Sequence, residues 1–424
     1  MNYKIKEVKL DNGVEGIIID VPNSRTACSR IVFNGGYWSV RDYADKQQTP
    51  HLYEHVANYV KRRSEWDSFN KEFKKNGGYY NAFTNNTCIR YVAKCPVFDI
   101  DRIVRMQKCA VENPDYTETD LAVEKKSITN ELLADAGKTP YLLDYAMWSS
   151  VGLPRMAPHD AINTLKNINL NDVDSYRVET HTTSNMRFLL AGDFGGNYSI
   201  ANTFSNIDLP VGERILTKKT CSINRQPSVV SSKGSIVSAR IGFALHRPLT
   251  AYESMIMWLI GILLAGDRET RVYGKARSAG LVYAMAMRNS VQRDATVDYF
   301  MLRCKPDNLS ATTKLIAEGM KSVVQGEISE RELEETKKKL IGFEYMLYET
   351  PEAILNAMEN RYISLGEIID IESRPDIIRS IELNDVVRLA SEFVNSGIRP
   401  MVLCGNVSDY QVNQAYGMLN EILG

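Results

Sequence analysis

Two related α+β halves are what this 424-residue sequence predicts, each a mostly antiparallel sheet with helices packed on it. Three observations carry that expectation. Short strand-like runs bounded by turn residues flank long helical stretches, without the regular βαβ alternation of a parallel sheet. Segments recur in the same order at nearly one offset. The chain is also longer than one core usually organises. Its hydrophobic fraction of 44% and charged fraction of 24% are those of an ordinary globular protein, not a disordered or fibrous one.

The first half opens with β-like runs at Val8 to Leu10, at Gly16 to Val21 after the turn residues Asp11-Asn12-Gly13, and at Ser29 to Asn34. A helix is predicted from about Pro50, with Thr49 as N-cap and Pro50 at the first helical position, where a missing N–H costs nothing. A helical pattern near Glu65 to Lys75 ends at the Gly77-Gly78 break, and a strand pair follows around Tyr79 to Cys95. Long helices are expected over Phe98 to Asn113 and Glu118 to Asp135, and a final strand at Met186 to Ala191.

The repeat rests on three matches. Ser29-Arg30-Ile31-Val32-Phe33 resembles Ala239-Arg240-Ile241-Gly242-Phe243 at an offset of 210. Glu124-Lys125-Lys126 with the later Thr139-Pro140 resembles Glu335-Thr336-Lys337 with Thr350-Pro351, at 211. Met186 to Asp193 echoes Pro400 to Asn406, with Gly192 and Gly405 213 apart. Three matches in one order divide the chain into residues 1–216 and 235–424, joined through a polar linker at 217–234.

Bulk composition excludes more than it assigns. Lys+Arg number 51 against Asp+Glu 52, so no global field favours nucleic acid and no basic run favours a membrane surface. The most apolar run, Met255 to Gly266, is too short to span a bilayer. The opening MNYKIKE has neither a signal peptide's apolar core nor a transit peptide's composition. Seven scattered cysteines without a CxxC pair fit a reducing cytoplasm better than a disulfide framework.

Chemistry concentrates at His51-Leu52-Tyr53-Glu54-His55. On a helix, residues i and i+4 share a face, so both imidazoles can reach one ion, with Glu54 beside them. Catalytic zinc takes three protein ligands and keeps a fourth position open. Glu131 is the candidate third ligand, on a helix that carries Glu124 two turns earlier on the same side. Alone, an i, i+4 histidine pair is usually incidental and two helical glutamates are a solvated face. The H-x-x-E-H pattern, which marks inverzincins, raises the histidine pair above that. His159, His181 and His246 lack such partners and are assigned to structure.

With these residues in place, the chain resembles the pitrilysin-type zinc peptidases, in a two-domain short form like mitochondrial processing peptidase subunits and bacterial homologues. The 75 residues between His55 and Glu131, and Glu124 seven before Glu131, follow that family's spacing. So do the Leu10-Asp11-Asn12-Gly13 turn, the strand ending Gly192-Asp193, and Gly78 to Thr84, which resembles the substrate-side strand. The resemblance implies one Zn²⁺ per chain on His51, His55 and Glu131, Glu54 as general base, and Glu124 supporting a ligand histidine. It further implies that Asn81, Ala82, Phe83 and Thr84 meet a peptide substrate.

The second half has no ligands where the repeat would put them, at Gly261 to Ala265. The resemblance gives it substrate contacts instead, through Gly280-Leu281-Val282-Tyr283 and an arginine. Family members place that arginine seven before the tyrosine, where this chain has Ala276; Arg277 is six before. Tyr283, with Arg277, is expected to face the substrate carbonyl. A two-domain chain is then half of a clamshell, pairing as a homodimer or with a related short homologue. The implied activity is zinc-dependent endopeptidase. The alternatives are a subunit active only with a partner chain, or a non-catalytic structural homologue, which the intact ligand set disfavours.

Overall fold

The computed structural model describes residues 2–40, 43–59, 67, 71, 73–112, 114–153, 156–216, 223–232, 234–291 and 294–424. Most of the helical pattern expected at Glu65 to Lys75 lies outside these, as do residues 217–222 and 233 of the expected linker. The chain forms two compact units. One comprises Met1–Asp135, Met156–Lys218 and Leu347–Ile369; the other comprises Ala136–Arg155, Lys219–Met346 and Asp370–Gly424.

The first unit is built on a six-stranded sheet. Its strands are β1 (Lys4–Lys9), β2 (Glu15–Asp20), β3 (Thr26–Asn34), β4 (Tyr79–Thr84), β5 (Cys88–Pro96) and β6 (Met186–Gly192), in the order β1-β2-β6-β3-β5-β4. Only β2 and β6 run parallel; the other neighbours are antiparallel. Every residue of β3 except Thr26 is buried, because helices cover both faces of the sheet. Successive side chains alternate between those faces. Ser29 Oγ donates to Gln107 Oε1 (2.5 Å) on one, and Arg30 meets Glu352, Asn356 and Glu359 on the other.

The second unit repeats the plan with β7 (Ser228–Ser231), β8 (Val237–Leu245), β9 (Val282–Val291), β10 (Thr296–Cys304) and β11 (Met401–Gly405). Their order is β7-β11-β8-β10-β9, again with one parallel pair, β7 and β11. This is the first sheet without β1. The register repeats as well: Arg30 lies opposite Leu189, and Arg240 opposite Val402. The α+β fold with two homologous, mostly antiparallel sheets is therefore what the chain adopts.

The units are not contiguous in sequence. The Thr139–Ser150 helix belongs to the second unit, packed on β7, β8 and β11, while the Pro351–Leu365 helix belongs to the first, packed on β3 and β6. These two helices begin at the repeated Thr-Pro pairs. Each is anchored by the repeated arginine of the sheet beneath it. Arg30 Nε lies 3.5 Å from Glu359 Oε2 and its Nη2 donates to Asn356 Oδ1 at 3.0 Å. Arg240 pairs with Asp144, donates to the Pro140 carbonyl (3.3 Å) and lies over the Tyr299 ring, 5.2 Å from its centroid. Both arginines are buried, so removing either partner would strand a charge.

Helix α1 runs Thr49–Val56, α2 Ile100–Glu112 and α3 Glu118–Ala136. Thr49 is not the cap of α1. Its hydroxyl is spent backward on the Lys46 carbonyl (2.7 Å), so the helix begins at Thr49 and Gln48 takes the N-cap place. Among the described residues no helix is long and apolar enough to cross a membrane.

Candidate metal centre

Helix α1 is amphipathic at close range. Leu52, Tyr53 and Val56 are buried, which turns His51, Glu54 and His55 together toward the opposite, half-buried side. Helix α3 starts where Thr117 and Asp120 exchange hydrogen bonds between side chains and backbone. It buries Leu121, Ile128 and Leu132, leaving Glu124 and Glu131 two turns apart on another side.

The two helices bring four of the predicted residues into one cluster. His51 Nε2 lies 3.5 Å and His55 Nε2 3.6 Å from Glu131 Oε2. One ligand atom from each of the three lies within 4.8 Å of the others, the one such metal-capable group among the described residues. A tetrahedron of ligands about 2.0–2.1 Å from zinc has edges of about 3.3 Å, close to these separations. Two imidazoles and a carboxylate on a half-exposed side chain match the donor set of catalytic zinc. Hydrogen bonding to His51, aided by His55, holds the Glu131 carboxyl below the usual carboxylate range against its partial burial.

The ring nitrogens facing away from Glu131 are also engaged. His55 Nδ1 is 2.8 Å from Glu124 Oε2, and Glu124 Oε1 accepts from the Tyr59 hydroxyl at 2.8 Å. His51 Nδ1 is 3.1 Å from Gln48 Oε1. A carboxylate and an amide oxygen can only accept here, so each Nδ1 carries the proton and each Nε2 keeps its lone pair for a metal. Gln48 and Tyr59 escaped the sequence reading. Their signal was helical spacing alone, three before His51 and four after His55. Replacing Glu124 by Gln should weaken zinc binding about 10–100-fold by loosening His55, measured by competition with a chromophoric chelator.

Glu54 adjoins the cluster, and its Oε2 accepts from the Thr84 hydroxyl at 2.5 Å. Thr84 ends β4, which pairs only with β5 among the described residues and so presents an open sheet edge. Along β4, Ala82 is buried and Thr84 half-buried, while Asn81 and Phe83 are exposed. His181 is the buried histidine of the core. Its ring stacks on Phe33 (4.1 Å between centroids) and bonds Tyr91 and Thr180. Burial pushes its pKa well below the ordinary histidine value, leaving it neutral.

The remaining predicted residues lie in the second unit. Tyr283 is half exposed near the start of β9, the edge strand equivalent to β4. Arg277 is exposed on the Tyr273–Ser278 helix and donates from Nη1 to the Val282 carbonyl at 3.0 Å. Ala276, where the resemblance would put the arginine, is fully buried, and a guanidinium there would enter the core. Gly261 to Ala265 lies in the apolar Ala251–Ala265 helix, with Ile262, Leu263 and Leu264 buried.

Comparison with known proteins gives family matches and structural neighbours over most of the chain. Residues 17–152 match the family described as Insulinase (Peptidase family M16), and residues 167–340 match the Peptidase M16 inactive domain. An uncharacterized zinc protease of Rickettsia felis is 20% identical over 405 residues, covering 93% of this chain and 96% of that protein. A protease from Helicobacter pylori superposes with a TM-score of 0.80 at 16% identity, over 95% of this chain and 99% of that one. A chain of complex III from Candida albicans gives 0.81 at 13%, over 98% and 99%. The matches to both M16 domains, in order along one chain, together with this fold, make it a member of the pitrilysin-type M16 peptidase family.

Proposed function

We propose that this chain is a zinc-dependent endopeptidase that hydrolyses extended or unfolded peptides inside a closed dimeric chamber. The observation that carries the reading is Glu54, on the same side of α1 as His51 and His55 of the metal-capable cluster and hydrogen-bonded to Thr84 at the open edge of β4. His51, His55 and Glu131 would hold one Zn²⁺. Bound there, zinc polarises water and the substrate carbonyl. Glu54 takes the water's proton on a carboxylate oxygen and passes it to the leaving amine. Asn81 to Thr84 receive the peptide as an added strand, a mode that uses main-chain groups and suits unfolded substrates.

Tyr283, half exposed on an edge strand, is the donor proposed for the developing oxyanion. Arg277 braces the carbonyl of the preceding residue and supports Tyr283 in that role. Association with a second copy or a related short chain completes the chamber, a reading supported by the likeness to a chain of complex III. The described cysteines, all free of disulfides, accord with a cytoplasmic setting.

The test is metal analysis, light scattering and cleavage of a quenched fluorescent peptide by the purified chain. The expected result is one zinc per chain, a dimer, and turnover abolished by chelation and restored by zinc. Bound zinc without turnover would instead show a chain that needs a partner, and absence of zinc a structural homologue.

A further inference from the structure

Thr84 occupies two places at once. Its main chain lies on the open edge of β4, where the Proposed function places the substrate strand. Its side chain points the other way, to the face covered by α1, and its hydroxyl donates to Glu54 Oε2 at 2.5 Å. Among the described residues, the Thr84 hydroxyl is the hydrogen-bond partner of the Glu54 carboxylate.

The geometry points to Thr84 as a positioning residue for Glu54: it fixes the carboxylate, and through its main chain it ties that carboxylate to the strand that receives the peptide. Three physical points support this. A glutamate side chain has three rotatable bonds, so holding one oxygen removes most of its freedom before the reaction begins. A hydroxyl donating to a carboxylate makes a charge-assisted bond, stronger than a neutral one. The atom doing the holding sits on a strand, and strands place side chains more rigidly than loops do. Asn81 and Phe83 alternate to the exposed face of the same strand and have no route to Glu54. Thr84 is thus distinct from its neighbours: it serves the base, while they serve the peptide.

This inference rests on the peptidase reading, and its test separates the two. Thr84→Val removes the hydroxyl and keeps the shape and the strand preference, so folding is preserved. With the zinc-loaded full chain, Thr84→Val should lower kcat about 10–100-fold with KM within about twofold, and leave zinc affinity unchanged. Thr84→Ser, which restores the donor, should recover most of kcat. In a Glu54→Gln background the valine should add no further loss, because the two residues act as one unit. Crystal structures give a readout apart from turnover: the Glu54 carboxylate should occupy one position in the wild type and Thr84→Ser, and spread over several in Thr84→Val.

An unchanged kcat in Thr84→Val with an ordered, unmoved Glu54 would overturn the inference. So would a loss that appears equally in zinc affinity, since Thr84 would then be supporting the fold of the site. A wild-type chain that binds zinc yet cleaves nothing would refute the peptidase reading instead, and the crystallographic comparison alone would then decide the role of Thr84.

Discussion

Glu54→Gln should bind zinc as the wild type does and lose peptide hydrolysis by about 10²–10⁴-fold in kcat. The substitution is nearly isosteric and still offers an acceptor oxygen to the Thr84 hydroxyl, so strand β4 and helix α1 stay in place. His51, His55 and Glu131 are untouched, and so are Gln48 and Glu124 behind the histidines. What disappears is the capacity to take up a proton. A loss confined to kcat, with KM and zinc stoichiometry retained, is the signature of a group acting in the transition state. Undiminished turnover would remove Glu54 from its role as base.

His55→Ala has the opposite pattern. If zinc binding at such a site is worth about 12 kcal/mol, one ligand in three accounts for about 4 kcal/mol, roughly a thousandfold in affinity. The loss has a second component, since Glu124 would keep its bond to Tyr59 but have no imidazole to orient. Zinc should raise the unfolding temperature of the wild type and of Glu54→Gln, but not of His55→Ala at the same concentration. The fold itself should survive, because the apolar side of α1 is held by Leu52, Tyr53 and Val56 in the core. Calorimetry with and without zinc distinguishes the two variants in one experiment. Equal zinc stabilisation of His55→Ala would place the metal elsewhere.

The H-x-x-E-H segment was legible because its geometry is local: a single helix turn puts His51, Glu54 and His55 on one side. Glu131 and Glu124 were legible through spacing on one helix together with the family resemblance. The repeat was also readable, down to the register of Arg30 and Arg240. Three things were not. Thr49 looked like an N-cap because threonine prefers that place, but its hydroxyl found a nearer carbonyl at Lys46. The bond between Thr84 and Glu54 joins two segments 30 residues apart and has no sequence pattern. The destinations of the two Thr-Pro helices were hidden for a related reason. A repeated Thr-Pro pair says nothing of the sheet that the helix beginning there packs on.

That exchange of helices bears on how such a protein could have arisen. A solitary ancestor of half the length, with this topology, would have lacked a cover for one face of its own sheet. It would have had to give its Thr-Pro helix to a sister molecule and receive the sister's in return, as swapped dimers do. Joining two copies end to end turns that reciprocal exchange into an internal one. In such a chain each half depends on a helix from the other to cover its sheet, so neither could depart without uncovering the other.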